Sequence, residues 1–189
     1  MIGESDGNIR MVAAPDKLNV TIRPKESPVN YLYLQPTSIF IAYGSTCMLV
    51  ERDTLNIVVT HTSYHKKSIR MGLVISSILV TGDEEELILF WNKDKVRRYK
   101  VQVNIGDIVG NKLIIAGFDN RVRLYDINAE TGAQKLHVFV GHTMDIYNMV
   151  VIDDGIFTTY SYDGTIRWWN TTAKSCFSYF NVKIYYMAV

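Results

Sequence analysis

Apolar and β-branched residues occur in short runs along nearly the whole chain, each bounded by Gly, Asn, Asp or Ser. Ile39-Phe40-Ile41, Ile78-Leu79-Val80, Leu113-Ile114-Ile115 and Ile156-Phe157 are the most apolar. Each is preceded by a second run, at 31–34, 72–75, 101–105 and 147–152, and more polar runs follow at 55–60 and 136–140. Runs of this length between turn residues read as β-strands, and no stretch keeps an apolar period of about 3.6 residues for a useful length. The pattern predicts an all-β chain.

One phrase recurs: a small or acidic residue, a turn, then an alternating apolar strand ending in an aromatic and Asp or Asn. It is clearest as Ser161-Tyr162-Asp163-Gly164-Thr165-Ile166-Arg167-Trp168-Trp169-Asn170. The same register fits Gly117-Phe118-Asp119-Asn120-Arg121-Val122-Arg123-Leu124-Tyr125-Asp126 and Asp83-Glu84-Glu85-Glu86-Leu87-Ile88-Leu89-Phe90-Trp91-Asn92. A looser copy runs from Gly44 to Asp53, and the chain opens inside another. The copies begin at Glu4, Gly44, Asp83, Gly117 and Ser161, a period of about 40 residues. Each period has the grammar of four short antiparallel strands.

On these residues the sequence resembles the WD-repeat (tryptophan–aspartate) β-propeller family, whose repeat carries a Gly-His pair upstream and ends in Trp-Asp. Gly141-His142 through Trp169-Asn170 is the fullest copy, with Asn in the final place. The resemblance implies a β-propeller of four-stranded antiparallel blades. A partial blade would occupy 1–24, full blades about 25–62, 63–99, 100–140 and 141–180, and a lone first strand 181–189. Seven blades, the usual number, would need roughly 280 residues. The resemblance therefore implies an incomplete propeller: a piece of a longer chain, a shortened product, or a ring completed by a partner or a second copy. A closed five-bladed ring is the alternative.

The resemblance also implies a buried hydrogen-bond chain, through His142, Thr159, Asp163 and Trp169 in the best copy and, more loosely, His65, Thr81, Glu85 and Trp91 in an earlier one. A buried imidazole or indole N–H needs an acceptor, and leaving it without one costs about 1–3 kcal/mol. The copy between these keeps Asp119 but has Ile115 for the hydroxyl and Tyr125 for Trp, so apolar packing is expected to hold it. Partners of such propellers dock on the loops before the first strand and between the second and third. Matched by position, those loops present Tyr64, Lys66, Lys67, Glu84, Phe118, Met144, Asp145 and Tyr162.

Composition changes the picture only by exclusion. With 20 Lys+Arg, 19 Asp+Glu and a net charge of +1, there is no global pull toward nucleic acid or an anionic membrane. Cys47 and Cys176 are too few for a disulfide framework and suit a reducing, cytoplasmic or nuclear setting. The apolar run 73–80 is too short to cross a bilayer, and Glu4 and Asp6 stand where a secretory leader would be basic and then apolar. The four histidines, His61, His65, His137 and His142, lack zinc-ligand spacing, so no metal and no cofactor is expected. The acidic run Asp83 to Glu86 reads as a solvated turn rather than as paired catalytic carboxylates. Asn19-Val20-Thr21 and Asn170-Thr171-Thr172 match a glycosylation sequon, with Asn170 also filling the strand-terminal polar position.

The expectation is a non-enzymatic protein–protein interaction scaffold, a module of a multi-subunit complex. The alternative is a nucleic-acid-associated propeller binding phosphates through Lys93, Lys95, Arg97, Arg98 and Lys100 on an outer strand.

Overall fold

The computed structural model describes residues 2–3, 9–11, 20–22, 29–62, 64–91 and 95–182, and every regular element among them is a β-strand. The expected lone strand therefore lies outside the described residues from 183 onward, as does most of the opening partial blade. The chain divides into two units, 1–73 and 74–189.

In the first unit, β1 (Ile2–Gly3), β2 (Ile9–Met11) and β3 (Val20–Ile22) form a three-stranded antiparallel sheet. β4 (Tyr31–Leu34), β5 (Ser38–Tyr43), β6 (Thr46–Glu51) and β7 (Ile57–His61) form a four-stranded one in sequential order. Its core is Ile39, Ile41, Tyr43, Met48 and Val50. Phe40 points to the other face and lies against Gly72, where a Cβ would come within 2.0 Å of the ring. Only glycine leaves that space.

β8 (Met71–Ile75) carries the division between the units and is the edge strand of a sheet with β9 (Ile78–Gly82), β10 (Leu87–Trp91) and β11 (Lys95–Tyr99). The second unit adds two more four-stranded antiparallel sheets. One holds β12 (Ile105–Val109), β13 (Lys112–Ala116), β14 (Arg121–Asn128) and β15 (Gly132–Val140). The other holds β16 (Ile146–Asp153), β17 (Ile156–Ser161), β18 (Thr165–Asn170) and β19 (Ser175–Asn181). The two sheets share one core, to which the first gives Val109, Ile114, Ala116, Val122, Leu124 and Phe139 and the second Ile146, Met149, Phe157 and Trp169. Ile114 and Ala116 on β13, and Val122 and Leu124 on β14, reach it at the period of two, while a bulge in β16 between Ile146 and Asn148 lets Ile146 and Met149 share it three residues apart.

One predicted strand is displaced. Residues 101–105 read as a strand because they alternate Val, Gln, Val, Asn, Ile, but the paired strand is β12, through Gly106 and Asp107. The earlier segment is a connector. Val103 is fully buried, its N–H bonds the Asp83 carbonyl at 2.8 Å, and its side chain fills the space over Gly82. The apolar pattern recorded burial, not pairing.

An asparagine clasp repeats in the two units. Asn30, just before β4, donates its N–H to the Ala42 carbonyl and its Nδ2 to the Ile69 carbonyl, while Oδ1 accepts the Gly44 N–H at 2.6 Å. Asn104, just before β12, gives its N–H to the Ala116 carbonyl at 2.8 Å and its Nδ2 to the Ile146 carbonyl at 2.7 Å. The carbonyls that take the side-chain bonds lie 39 and 42 residues on, one repeat further along the chain. Asn104→Ala is expected to lower stability by about 1–2 kcal/mol, since a side-chain hydrogen bond is lost and the Ile146 carbonyl loses this donor. Unchanged urea unfolding would show that water replaces the amide at no cost.

The last sheet is apolar on both faces. Ile166, Trp168 and Phe180 occupy the repeat positions of Val122, Leu124 and Phe139, yet Phe180 is 59% exposed where Phe139 is 2%. Trp168 and Phe180 meet edge to face at 5.2 Å on this open side.

Candidate functional site

The second unit brings three connections together: the β13–β14 turn (117–120), the β15–β16 loop (141–145) and the β17–β18 turn (162–164). Hydrogen bonds starting at one buried residue pair hold the last two. His142 places Nε2 2.7 Å from Thr159 Oγ1 and Nδ1 2.9 Å from Asp163 Oδ2. Trp169 donates its indole N–H to the same Thr159 oxygen at 2.8 Å. The proton positions follow from these partners. Asp163 accepts the Nδ1–H of a neutral imidazole, Nε2 accepts from the Thr159 hydroxyl, and that hydroxyl accepts from Trp169. Each donor of this His142–Thr159–Asp163–Trp169 network has an acceptor.

Asp163 then organises the turn. Its Oδ2 also accepts the Thr143 N–H at 3.0 Å, and Oδ1 accepts the Thr165 N–H at 2.8 Å and hydroxyl at 2.7 Å. Burial works to raise the carboxyl, but the bonds from Thr165, Thr143 and His142 outweigh it and hold Asp163 well below the ordinary carboxylate range. Burial holds the His142 imidazole below its ordinary 6.5, so the pair is a neutral imidazole on a carboxylate rather than an ion pair. Gly164 follows at φ +76° and closes the turn. Ser161 donates to the Met144 carbonyl at 2.8 Å and the Tyr162 N–H reaches the Asp145 carbonyl at 3.1 Å, so turn and loop are also joined through backbone.

Above this framework Phe118, Asn120, Thr143, Met144, Asp145 and Tyr162 line an open pocket of about 340 Å³. Met144 is 51% and Tyr162 50% exposed. Tyr147 adds a ring 4.9 Å from that of Tyr162. Asn120, which lines the pocket, sits at φ +63°, a conformation Asn tolerates better than most side chains. Four of the eight residues expected on a partner surface thus line one cavity. Asn120, Thr143 and Tyr147 were not among the expected residues; a polar turn residue and a first-strand tyrosine carry no signal that separates them from ordinary surface.

The other expected residues fall elsewhere. In the first unit Tyr64 is half-buried with its ring edge-on to His61 at 5.2 Å, while Lys66 and Lys67 are exposed. Glu84 lies in the β9–β10 turn. That turn also corrects two readings. The carboxylate serving it is Asp83, not Glu85: Asp83 is fully buried and its Oδ1 accepts the N–H groups of Glu85 and Glu86 at 2.7 and 2.8 Å, while Glu85 is exposed. A shorter carboxylate two residues before the free N–H groups closes such a turn without an extra methylene. The acidic run is therefore not simply a solvated turn. Thr81 and His65 are buried, and the indole of Trp91 lies outside the described residues.

The copy with Tyr125 is held by more than apolar packing. Asp119 accepts from Arg123 Nη1 at 2.9 Å and pairs again with its Nη2, and these bonds draw the Asp119 carboxyl down. Arg97 and Arg98 of β11 do not form one stripe, and the Lys95 side chain lies outside the described residues. Arg97 turns to the Glu130 carbonyl at 2.9 Å, Arg98 pairs with Glu86 at 2.6 Å, and Lys93 lies outside the described residues. Cys47 is buried, which pushes its thiol up to about 12 and leaves it unreactive, and Cys176 is likewise a free thiol. Asn170 accepts the Thr172 and Ala173 N–H groups at 2.9 and 2.7 Å, a turn role that explains its polarity.

Comparisons with known proteins agree with this architecture. Residues 133–170 match the family model "WD domain, G-beta repeat", a span that starts in β15 and ends in β18 and so stitches two neighbouring sheets. The WD40 β-propeller domain of Doa1 superposes with a TM-score of 0.78 at 19% identity, over 95% of this chain and 64% of that one. In all, 1140 solved chains match, so the likeness establishes a fold and selects no single activity. The sequence matches no curated protein. The match at residues 133–170 is to one WD repeat, the chain as a whole shares the β-propeller fold of that solved domain, and it spans about 64% of that domain's length.

Proposed function

We propose that this run of WD-repeat blades is a non-enzymatic scaffold that docks partner proteins on the loop end of its second unit, as a module of a multi-subunit assembly. The carrying observation is the pocket of about 340 Å³, walled by half-exposed Met144 and Tyr162 over a backbone pinned by Asp163. Aromatic and Met side chains bury large area at little entropic cost when a partner arrives, and a rigid loop lowers that cost further. The titratable groups beneath are tied to structural partners, which leaves them poor acids and bases for chemistry. Two free cysteines, one deeply buried, fit a cytoplasmic or nuclear setting.

The test is capture of partners from cells by the intact chain and by the triple variant Phe118→Ala, Met144→Ala, Tyr162→Ala. With a cluster of this kind removed, losses on the order of 2 kcal/mol or more are expected, enough to deplete the recovered partners at least tenfold. An unchanged set, from a variant whose circular dichroism is intact, would remove this surface from the reading.

A further inference from the structure

Resting on the docking surface just proposed, we infer that its pocket receives a cationic side chain, and specifically an arginine, of the partner protein. Three carboxylates border these loops, and two are engaged: Asp119 by Arg123, and Asp163 by His142, Thr143 and Thr165. Asp145 lines the pocket as well; its backbone carbonyl takes the Tyr162 N–H, and no described residue bonds its carboxylate. Phe118, Met144 and Tyr162 line the same pocket.

This combination selects its occupant by charge and shape. An apolar side chain would cover Asp145 and leave a carboxylate desolvated without a counter-charge, the least favourable way to fill the pocket. An anion would be repelled, and one carboxylate is too few donors for a structural metal. A guanidinium meets every wall: its methylene stem lies along Met144 and Phe118, its plane stacks on an aromatic face, and its fork of N–H donors reaches the Asp145 oxygens. Asn120 and Thr143 offer further polar atoms at the rim. A volume of about 340 Å³ lies at the small end of the usual range for ligand pockets, roughly 300–1,000 Å³, and suits one long side chain.

The test uses the full chain, labelled with ¹⁵N, titrated with the blocked tripeptide acetyl-Gly-Arg-Gly-amide. Its neutral isostere, with citrulline for arginine, is the control. Amide shifts are expected at 118–120, 143–147 and 162, with the citrulline peptide and the Asp145→Asn protein each binding at least about tenfold more weakly. Asp145→Asn keeps the side-chain shape, and an unchanged spectrum elsewhere certifies its fold. Equal binding by citrulline, equal binding by Asp145→Asn, or no shift at saturating solubility would each overturn the assignment. If the triple variant loses its partners while Asp145→Asn retains them, the docking surface stands and the arginine falls. If neither variant changes recovery, the surface itself is wrong.

Discussion

Trp169→Ala is expected to destabilise the second unit by about 3–5 kcal/mol, more than Tyr125→Ala at the corresponding position of the preceding blade. Both side chains are buried, at 1% and 5% exposure, so lost area alone would separate them little. The difference lies in what each touches. The Trp169 ring meets Phe139 at 5.5 Å, Phe157 at 6.3 Å and His142 at 6.0 Å, and so sits where the cores of two sheets join. Its removal opens a cavity walled by rigid aromatic rings, which close over a void poorly. It also withdraws the indole N–H from Thr159, the link through which the strand core reaches His142 and the β15–β16 loop. Trp169→Phe keeps a six-membered ring but removes the buried pyrrole part together with its N–H, so an intermediate loss of about 1–3 kcal/mol is expected, part small cavity and part hydrogen bond. Urea unfolding followed by circular dichroism measures all three variants. Equal losses for Trp169→Ala and Tyr125→Ala would show that the polar chain adds nothing to packing.

The fold was legible because its determinants are local. A strand of five or six residues shows its two faces in alternation, and a turn shows its glycine or aspartate, so a forty-residue period could be counted. The polar chain in the fullest blade was legible only through family resemblance, since nothing in the spacing of His142 and Trp169 says that their rings meet. Where the pattern misled, it did so for physical reasons. Val103 is apolar because it covers Gly82, so a buried connector imitated a strand. Among four consecutive acids, the one that caps the turn is chosen by backbone geometry, and Asp83 cannot be told from Glu85 by charge.

The candidate site was legible in part. Phe118, Met144, Asp145 and Tyr162 come from three connections up to 44 residues apart in sequence, and only the stacking of two sheets unites them. The Asn104 clasp escaped the sequence altogether: its defining bond crosses to Ile146, and an isolated asparagine before a strand carries no mark of that. The hydrogen bonds that stabilise the β15–β16 loop also fix the proposed docking surface. Thr143 N–H is held by Asp163 and the Met144 carbonyl by Ser161, so the exposed side chains at 144 and 145 project from a backbone with little freedom left to lose on binding.

Acid should dismantle this arrangement in two stages. His142 is held neutral below its ordinary 6.5, so as pH falls through that value the unfolded chain takes up a proton that the folded chain resists. Stability contributed by the neutral imidazole is thus present above about pH 6.5 and declines beneath it. Asp163 acts lower. Its carboxyl is depressed in the folded protein and ordinary, near 4, in the unfolded one, so its contribution is present above about pH 4 and is lost as pH falls further. Burial of His61 in the first unit and the Asp119–Arg123 pair in the second act with the same signs, so the decline does not belong to one residue. Asp163→Asn isolates its share. The amide presents a donor where either His142 and Thr143 or the two Thr165 groups also donate, and a loss of roughly 2–4 kcal/mol at neutral pH is expected. The variant should also lose most of the steep fall below pH 4, keeping the part that Asp119 supplies. Melting temperatures of the two proteins across the acid range measure this directly. If Asp163→Asn unfolds with the same acid profile as the unaltered chain, the carboxylate is not what holds the loop.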